Sequence, residues 1–394
     1  MPDEPLHQPD PPQRRRPRYS GTHPRRFEHK YKELDPQRYA DITQHVRAQG
    51  RTPAGTHVPI LVRELLECVA AAPGEVAVDC TLGYGGHALE IIARLAPGGC
   101  FIGIDVDAAE LTRTRERLIA RGAVPPESPD APSIHASDSQ PPTPLGAMAS
   151  QPNRAPDRVD WAPRGAGVRL EFVHGSFAGL PRVLAGLGLA GADVIYADLG
   201  VSSMQIDDPR RGFSYKHDGP LDMRMDARIA RSAADWVRLL SREKLAAALA
   251  ELADEPAAEA VAEAIVAARQ VRAIETTRAL ARVIAQAAPA DADAAVTRCF
   301  QALRVLVNNE QSALRELLRV VPECLNPGGR LALIAFHSGE DRLIKHALRA
   351  SLDSGVYSEI AAEPLRPSAE EQRANPRSRP ARLRWARRGR ATAG

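Results

Sequence analysis

The amino-acid sequence predicts an α/β fold, in which a parallel sheet carries an inserted all-helical subdomain. Three observations support this prediction. Short apolar runs alternate with helical periods in the first half of the chain, which is typical of βαβ units. Residues 229–288 form nearly continuous amphipathic helix without strand signals. The apolar run 194–197 ends on Asp198 and opens into a long loop rich in Asp, Arg, Ser and Gln, which favours a functional loop over an idle connection.

Size, charge and cysteine content narrow the possible protein classes. The 394 residues can form two domains, or one domain with large insertions. The net charge is only +3, so a polyanionic partner would have to bind local basic clusters. The five cysteines are scattered and mostly lie in apolar runs, which predicts a reducing compartment without disulfides or a zinc site. Since the N-terminus has no apolar signal core and no apolar run is long enough to span a bilayer, a cytoplasmic protein is expected.

Three segments have compositions that do not favour a packed core. Residues 1–55 are polar and basic, and we expect a largely disordered extension there. Residues 122–167 are rich in Pro, Ser, Ala and Asp, and we expect a flexible insertion that takes no part in the chemistry. Arginines accumulate towards the end of the chain, which predicts a basic C-terminal tail over residues 373–394.

Five strands are predicted, each from an apolar run bounded by polar residues, glycine or proline. They cover residues 75–81, 100–105, 168–174, 194–198 and 330–336. Helices are expected from residue 61 onward and over residues 88–95, 108–121 and 299–321, with a short one ending near residue 187. A sheet domain would then comprise residues 56–209 and 297–372. The helical subdomain, residues 210–296, would lie between these two parts and bind substrate.

A glycine-rich turn follows the first predicted strand. The turn, Gly83–His87, precedes a helix, where glycines allow a ligand to approach closely and the helix N-terminus offers unpaired N–H groups to an anion. Asp105 ends the next strand 19 residues after Gly86, where a carboxylate can accept hydrogen bonds from ribose hydroxyls. This combination suits S-adenosylmethionine, although Asp105 could instead cap the following helix. The turn lacks the full G-x-G-x-x-G pattern, which disfavours a nicotinamide dehydrogenase.

Taken together, these motifs resemble the bacterial 16S rRNA (cytosine-N4)-methyltransferases of the RsmH (MraW) family. The resemblance extends over residues 57–349, apart from the insertion, and returns at residues 375–379. Its most specific segments are Leu199-Gly-Val-Ser-Ser203 and Asp218-Gly-Pro-Leu-Asp-Met-Arg-Met225. The chain departs from the family pattern at Asp254, where Gly is usual. The resemblance implies a Rossmann-like, S-adenosylmethionine-dependent methyltransferase domain that methylates N4 of a cytosine in small-subunit rRNA.

The resemblance also implies a cofactor site built from strand ends and the loops after them. Its members would be Gly85, Gly86, His87, Asp105, Phe177, Asp198 and Gln205. Phe177 would pack on the adenine ring, unless it simply belongs to the core. No metal is expected to take part.

Methyl transfer to an exocyclic amine needs a group that orients the amine and stabilises the positive charge that develops on it. Asp198 is the main candidate for this role because it lies at a strand end. His337 and Asp222 are further candidates on the substrate side, since histidine and carboxylates commonly transfer protons. The target base would have to be single-stranded or flipped out to reach a recessed site.

Other functions remain open at the level of the sequence. The chain could methylate another RNA or DNA, or it could be a non-catalytic RNA-binding factor for ribosome assembly. The intact glycine turn, Asp105 and Asp198 argue against a factor without turnover. The expected partner is small-subunit rRNA or the assembled small subunit, and Arg210, Arg211, Arg224 and the basic tail would contact its phosphates.

Overall fold

The protein is seen in a computed structural model that describes residues 59–120, 157–161 and 167–390. The expected disordered extension over residues 1–55 and most of the expected insertion over residues 122–167 lie outside the described residues. One mixed sheet of eight strands carries helices on both faces. In the part of the chain that is described, no helix is both long enough and apolar enough to cross a membrane.

The sheet is parallel in its centre and antiparallel at both edges. The strands are β1 (Val76–Asp79), β2 (Cys100–Asp105), β3 (Asp157–Trp161), β4 (Arg169–His174), β5 (Ala192–Asp198), β6 (Leu325–Ala335), β7 (Tyr357–Ile360) and β8 (Arg382–Arg388). Their order across the sheet is β3-β4-β2-β1-β5-β6-β8-β7. The chain leaves β1 towards β2 on one side and later returns to β5 on the other. This creates a switch point beside β1, where open α/β sheets bind their ligands.

Thirteen α-helices are formed by the described residues. They are α1 (Val62–Val69), α2 (Gly86–Leu95), α3 (Ala108–Ala120), α4 (Leu180–Gly186), α5 (Ser203–Asp207), α6 (Ala233–Leu239), α7 (Arg242–Ala253), α8 (Ala258–Val271), α9 (Thr277–Ala287), α10 (Ala292–Asn308), α11 (Glu310–Cys324), α12 (Ser338–Asp353) and α13 (Ala369–Ala374). Helices α1, α2 and α3 contribute to the core on one face of the sheet, and α4, α11 and α12 to the core on the other.

The central strands are buried on both faces because successive side chains point in opposite directions. Ile102 of β2 and Ile195 of β5 pack into the core that α4, α11 and α12 share. Their neighbours Phe101 and Val194 pack into the core on the side of α1, α2 and α3. All four side chains are completely buried, which holds the strand ends rigidly beneath the loops that follow them.

Helices α6 to α10 pack around a third core of their own. We call this part of the molecule the helical layer. Its core takes in Leu221 and Met223 from the long loop after β5 and continues to Val307 in α10. The expected boundary at residue 296 therefore falls inside α10, because this helix contributes apolar residues to the helical layer along most of its length.

The structure differs from the sequence prediction in two strands, one on each side of the sheet centre. Strand β3 lies within the segment expected to be a flexible insertion, and it pairs antiparallel with β4. Strand β8 lies within the expected basic tail, yet it is an interior strand between β6 and β7. Arg384 of β8 is buried because Asp341 of α12 pairs with it, at 2.6 Å between Nε and Oδ1. An arginine-rich segment can therefore form a buried strand when another element supplies the opposite charge.

Candidate active site at the carboxyl ends of the parallel strands

Three neighbouring parallel strands end on acidic residues. Asp79 ends β1, Asp105 ends β2 and Asp198 ends β5. The three strands are adjacent in the order β2-β1-β5, so their acids share one edge of the sheet next to the switch point. The structure thus brings together residues that are more than 90 positions apart in the sequence, as Asp105 and Asp198 are.

The glycine turn between β1 and α2 leaves a helix N-terminus without a side-chain cap. Helix α2 begins at Gly86, and the preceding Gly85 has a φ of 77°. A Cβ atom on Gly85 would lie 2.6 Å from the side chain of Thr114 in α3, and one on Gly86 would lie 2.8 Å from Pro59. Both positions therefore require glycine. The uncapped N–H groups of the first turn of α2 can serve an anionic group of a ligand.

Asp105 holds this turn in place. Its Oδ2 accepts a hydrogen bond of 2.7 Å from the N–H of Gly83, and its Oδ1 accepts one of 2.8 Å from the N–H of Asp107. Burial raises the pKa of Asp105 to about 6, although these two hydrogen bonds act in the opposite direction. Each carboxylate oxygen has a further lone pair, so Asp105 can also accept hydrogen bonds from ribose hydroxyls.

Asp198 has very different surroundings. Its backbone N–H donates to Thr81 Oγ1 at 2.6 Å, but its buried Oδ1 accepts no hydrogen bond from any described residue. Burial raises the pKa of Asp198 to about 8, and the charges of Asp79 and Glu340 add to this effect. Buried polar atoms without a partner are rare in folded proteins and need an explanation. A ligand that donates a hydrogen bond to Oδ1 would provide one.

The electrostatics of the strand ends favour a cationic ligand. Burial raises the pKa of Asp79 to about 7, even though Thr81 N–H donates to its Oδ1 at 3.0 Å. With Asp105 and Asp198, three acids along this edge have raised pKa values. A positive charge beside them would favour their ionised forms, and they would in turn stabilise that charge.

His87, the second residue of α2, lies between the start of α1 and the end of β5. Its Nε2 is 2.9 Å from the carbonyl oxygen of Ile60. Because a carbonyl oxygen only accepts, Nε2 must carry the ring proton and Nδ1 has a free lone pair. This Nδ1 lies 3.9 Å from Asp198 Oδ2. Burial lowers the pKa of His87 to about 4 despite the hydrogen bond to Ile60, so the ring is neutral at pH 7.

Gln205 and Phe177 flank these strand ends in different ways. Gln205 is buried in α5, where its Nε2 donates to Asp107 Oδ2 at 2.9 Å and its Oε1 accepts from Ser202 N–H at 3.0 Å. Both ends of its amide are therefore engaged within the protein. Phe177 follows β4 and is partly buried. It packs against the core formed by the sheet with α4, α11 and α12.

Asp107 is the site residue that the sequence analysis did not single out. It is buried and accepts hydrogen bonds from the backbone N–H groups of Ala109 and Glu110 at the start of α3. Its Oδ2 also pairs with Arg211 at 2.8 Å and with Gln205. Asp107 thus ties the loop after β5 to the loop after β2. An acid directly before a predicted helix is a common cap signal, which is the feature that could have identified it.

Asp222 is engaged by an arginine of its own loop. Arg224 donates to it through Nε, at 2.7 Å from Oδ1, and through Nη2, at 2.8 Å from Oδ2. Burial raises the pKa of Asp222, but the contacts with Arg224 outweigh burial and lower the pKa overall. Of the arginines expected to bind phosphates, Arg211 and Arg224 are thus paired within the protein. Arg210 pairs with Asp208 while its side chain stays 85% exposed.

His337 lies at the start of α12. Its Nδ1 accepts a hydrogen bond of 3.3 Å from Glu340 N–H, which caps the helix. Its Nε2 is 3.1 Å from Glu340 Oε1, close enough for an ion pair but not aligned for a hydrogen bond. Since Nδ1 acts as an acceptor, the proton of the neutral ring is on Nε2.

Two polar contacts of Asp254 join the helical layer to α12 beside His337. Asp254, at the end of α7, accepts a hydrogen bond of 2.7 Å from Ser338 Oγ and pairs with Arg342 at 3.2 Å. Asp254 has a φ of 49°, in the left-handed region that glycine adopts more easily than aspartate does. This explains why glycine suits the position, and the two contacts offset the strain in this chain.

The arrangement defines a class of protein. An uncapped helix N-terminus suits an anionic group, a strand-end acid suits a ribose, and a row of buried acids suits a positive charge. Together these features are those of an α/β enzyme that binds a nucleoside cofactor with both an anionic and a cationic group. Among the described side chains, no cluster of three or more His, Cys, Asp or Glu residues could hold a metal ion.

Comparison with known proteins specifies this class. The sequence profile of the MraW methylase family matches residues 54–123 and 164–389. Ribosomal RNA small subunit methyltransferase H 1 of Lachnoclostridium phytofermentans is 38% identical over 97% of this chain and 95% of its own length. Ribosomal RNA small subunit methyltransferase H 2 of Alkaliphilus metalliredigens is 39% identical over 94% of this chain and 97% of its own length. The chain belongs to the MraW methylase family.

The protein is therefore a methyltransferase, and its cofactor is S-adenosyl-L-methionine, as the sequence analysis predicted. A solved structure, that of TrmN from Thermus thermophilus, aligns with a TM-score of 0.34 and 14% identity over 83% of this chain and 48% of that one. The α/β fold is assigned from the sheet order and the family membership.

Proposed function

We propose that this protein transfers a methyl group from S-adenosyl-L-methionine to N4 of a cytosine in the rRNA of the small ribosomal subunit. Family membership and the names of the two relatives support the substrate. The buried Oδ1 of Asp198, which accepts no hydrogen bond from the described residues, is the observation that carries the proposal. An exocyclic amine is a donor, and it would satisfy this atom at the end of the central strand.

The residues at the strand ends fit the cofactor group by group. The N–H groups at the start of α2, after Gly85 and Gly86, would bind the carboxylate of the cofactor. Asp105 would accept hydrogen bonds from the ribose hydroxyls through its remaining lone pairs. Phe177 would contact the adenine ring. Gln205 would act indirectly, by holding the loop after β5 against Asp107.

Asp198 would both orient the amine and stabilise the positive charge that develops on it. The cofactor, when bound, supplies an activated methyl group on a sulfonium. The lone pair on N4 of cytosine is delocalised into the ring, so a hydrogen bond to Asp198 Oδ1 would turn the amine into a reactive orientation. The same carboxylate would stabilise the charge that develops on N4 in a site that excludes water.

His337 and Asp222 would support this site without transferring the proton. His337 accepts a backbone N–H through Nδ1, and its Nε2 lies 3.1 Å from Glu340 Oε1. It would therefore hold the start of α12 beside the substrate. Asp222 is held by Arg224 and would fix the loop that covers the substrate. The partner would be small-subunit rRNA, either free or in the assembled subunit, and the expected cytoplasmic location stays a prediction.

Incubation with radiolabelled S-adenosylmethionine tests the proposal. Free small-subunit rRNA, assembled small subunits, large-subunit rRNA and duplex DNA would be compared, and the labelled base mapped. We expect label on N4 of a cytosine in one of the two small-subunit substrates. Label in large-subunit rRNA or DNA would assign another nucleic acid as substrate. Cofactor binding without label in any of the four would favour a non-catalytic assembly factor.

A further inference from the structure

His87 makes contacts at opposite edges of its ring. Nε2 donates to the carbonyl oxygen of Ile60, and Nδ1 lies 3.9 Å from the Oδ2 of Asp198. The side chain is 6% exposed, so water has little access to it. In the proposed cofactor site, the carboxylate of the cofactor would contact the backbone N–H of His87, as part of the first turn of α2. The imidazole ring is therefore free for a separate task.

We propose that the imidazole of His87 is a positioning residue for Asp198: its Nδ1 accepts a hydrogen bond from Oδ2 of the protonated carboxyl group, which leaves Oδ1 to accept from the amine of the substrate. The proposal rests on the methyltransferase function proposed above. It differs from a role in cofactor binding, because it concerns the ring and not the helix N-terminus.

The geometry fixes the backbone of Asp198 and the ring of His87. The N–H of Asp198 donates to Thr81 Oγ1 at 2.6 Å, which fixes the main chain that carries the carboxyl group. The His87 ring cannot flip without losing the hydrogen bond to Ile60. The distance of 3.9 Å between Nδ1 and Oδ2 exceeds that of a direct hydrogen bond by about 1 Å. Catalytic hydrogen bonds are often long in the absence of substrate and shorten in the reactive complex.

The contact has a defined place in the reaction. The amine nitrogen forms a bond to the methyl carbon while the carbon–sulfur bond breaks, and sulfur keeps the electron pair. One proton then leaves the nitrogen for the carboxylate of Asp198. Protonated Asp198 can donate from Oδ2 to the free lone pair of His87 Nδ1, which stabilises the neutral acid. The titratable groups beside this pair are Asp79, Tyr196 and Glu340, and the guanidinium of Arg304 interacts with Glu340.

The alternative is that His87 only fastens the start of α1 through Ile60. Two substitutions separate these roles, because a glutamine amide lies about where Nε2 of histidine lies and an asparagine amide about where Nδ1 lies. His87→Gln keeps a donor for the Ile60 carbonyl and removes the group beside Asp198. His87→Asn keeps a polar group beside Asp198 and removes the contact with Ile60.

The two variants would be compared with the wild type in the full-length protein. We expect His87→Gln to keep its Tm and its affinity for S-adenosylmethionine, and to lose about tenfold or more in kcat. The pH midpoint of its kcat should move to lower pH, because neutral Asp198 has lost an acceptor. We expect His87→Asn to lower Tm and to keep the midpoint of the wild type. A His87→Gln enzyme with the kcat and pH profile of the wild type would overturn the proposal.

Proton release provides a readout that needs no rRNA. Calorimetric titration with S-adenosylmethionine, in buffers of different ionisation enthalpy, counts the protons that leave the site on binding. The pH at which release is half-maximal should fall in His87→Gln and stay near that of the wild type in His87→Asn. Equal values in all three proteins would overturn the inference. A wild type that releases protons but methylates no nucleic acid would contradict the proposed function instead.

Discussion

Asp105 and Asp198 look alike in the sequence but have different surroundings in the structure. Each ends an apolar strand and precedes a loop. Asp105 binds the backbone N–H groups of Gly83 and Asp107, so both of its oxygens help to build the cofactor turn. Asp198 has an oxygen without a partner, and its pKa is raised to about 8 by burial and neighbouring acids.

The difference shows how one strand-end signal can serve two roles. A carboxylate that accepts one backbone N–H on each oxygen stabilises a loop conformation. It can bind a ligand only through the lone pairs that remain. A carboxylate left unsatisfied in a buried position raises the energy of the empty site, and a ligand can relieve it. In the proposed function, Asp105 would therefore shape the site and Asp198 would act in it. The following changes test this contrast, from the largest expected effect to the smallest.

Asp198→Asn should have the largest effect on catalysis. The amide keeps the shape of the side chain but can neither take up a proton nor carry a negative charge. We expect kcat for methyl transfer to rRNA to fall by about 10²–10⁴-fold. Single-turnover assays with labelled cofactor would measure this, with circular dichroism as the control for folding. A fall of less than about tenfold would remove Asp198 from the chemistry.

Asp105→Ala should affect stability and cofactor binding together. The substitution leaves the N–H groups of Gly83 and Asp107 without their acceptor, and each buried donor costs about 1–3 kcal/mol. We expect the free energy of unfolding in urea and the affinity for S-adenosylmethionine both to fall. Asp105→Asn is the matched control, because its amide oxygen can still accept one of the two hydrogen bonds. A variant that loses affinity with unchanged stability would contradict the role of Asp105 in the turn.

The stability of the protein without cofactor should depend on pH through Asp198. Its pKa is raised from 3.8 to about 8 on folding, so the native state holds the proton more tightly. The resulting stability is fully present below pH 3.8 and is lost as the pH rises through about 8. Asp198→Asn should flatten the decline of Tm with rising pH in thermal scans.

Asp222→Asn should change the pH dependence of stability in the opposite direction, as measured in the same thermal scans. The contacts with Arg224 lower the pKa of Asp222 overall against the effect of burial. Its contribution to stability is present above pH 3.8 and is lost as the pH falls below that value. The variant should therefore differ from the wild type at neutral pH and converge with it in acid. A Tm profile of Asp198→Asn that also changed only in acid would be inconsistent with the raised pKa.

Asp222→Asn should also have the smallest effect on activity. Its pair with Arg224 is partly exposed, with side-chain exposures of 29% and 32%, so we expect a loss of stability below about 1 kcal/mol. Methyl transfer should stay within about threefold of the wild type, since both oxygens of Asp222 are engaged by Arg224 in a partly exposed pair. A loss of kcat as large as that of Asp198→Asn would contradict the distinction between an engaged carboxylate and an unsatisfied one.

Local sequence signals predicted the centre of the molecule well. The glycine turn and the acids at the ends of β2 and β5 follow from apolar runs and their neighbours in the sequence. Burial on both faces of β2 and β5 also follows, because these runs are continuously apolar. Five of the eight strands correspond to predicted ones.

Features that depend on distant partners could not be predicted in this way. Strand β8 looked like a basic tail because the charge that buries Arg384 comes from Asp341 in α12. Truncation after residue 376 would therefore remove an interior strand and cannot test for an RNA-binding tail. The role of Gln205 also depends on a contact with Asp107, 98 residues away. Such pairings are set by tertiary packing and leave no periodic signal.

The most direct test of the contrast compares S-adenosylmethionine with S-adenosylhomocysteine, which lacks the positive charge on sulfur. Calorimetric titrations at neutral pH, in buffers of different ionisation enthalpy, would count the protons released by each. If the unsatisfied carboxylate of Asp198 faces the sulfonium, S-adenosylmethionine should release more protons than S-adenosylhomocysteine. This difference should vanish in Asp198→Asn and persist in Asp105→Asn. Equal proton release by both ligands in the wild type, or a difference that survives in Asp198→Asn, would contradict the account.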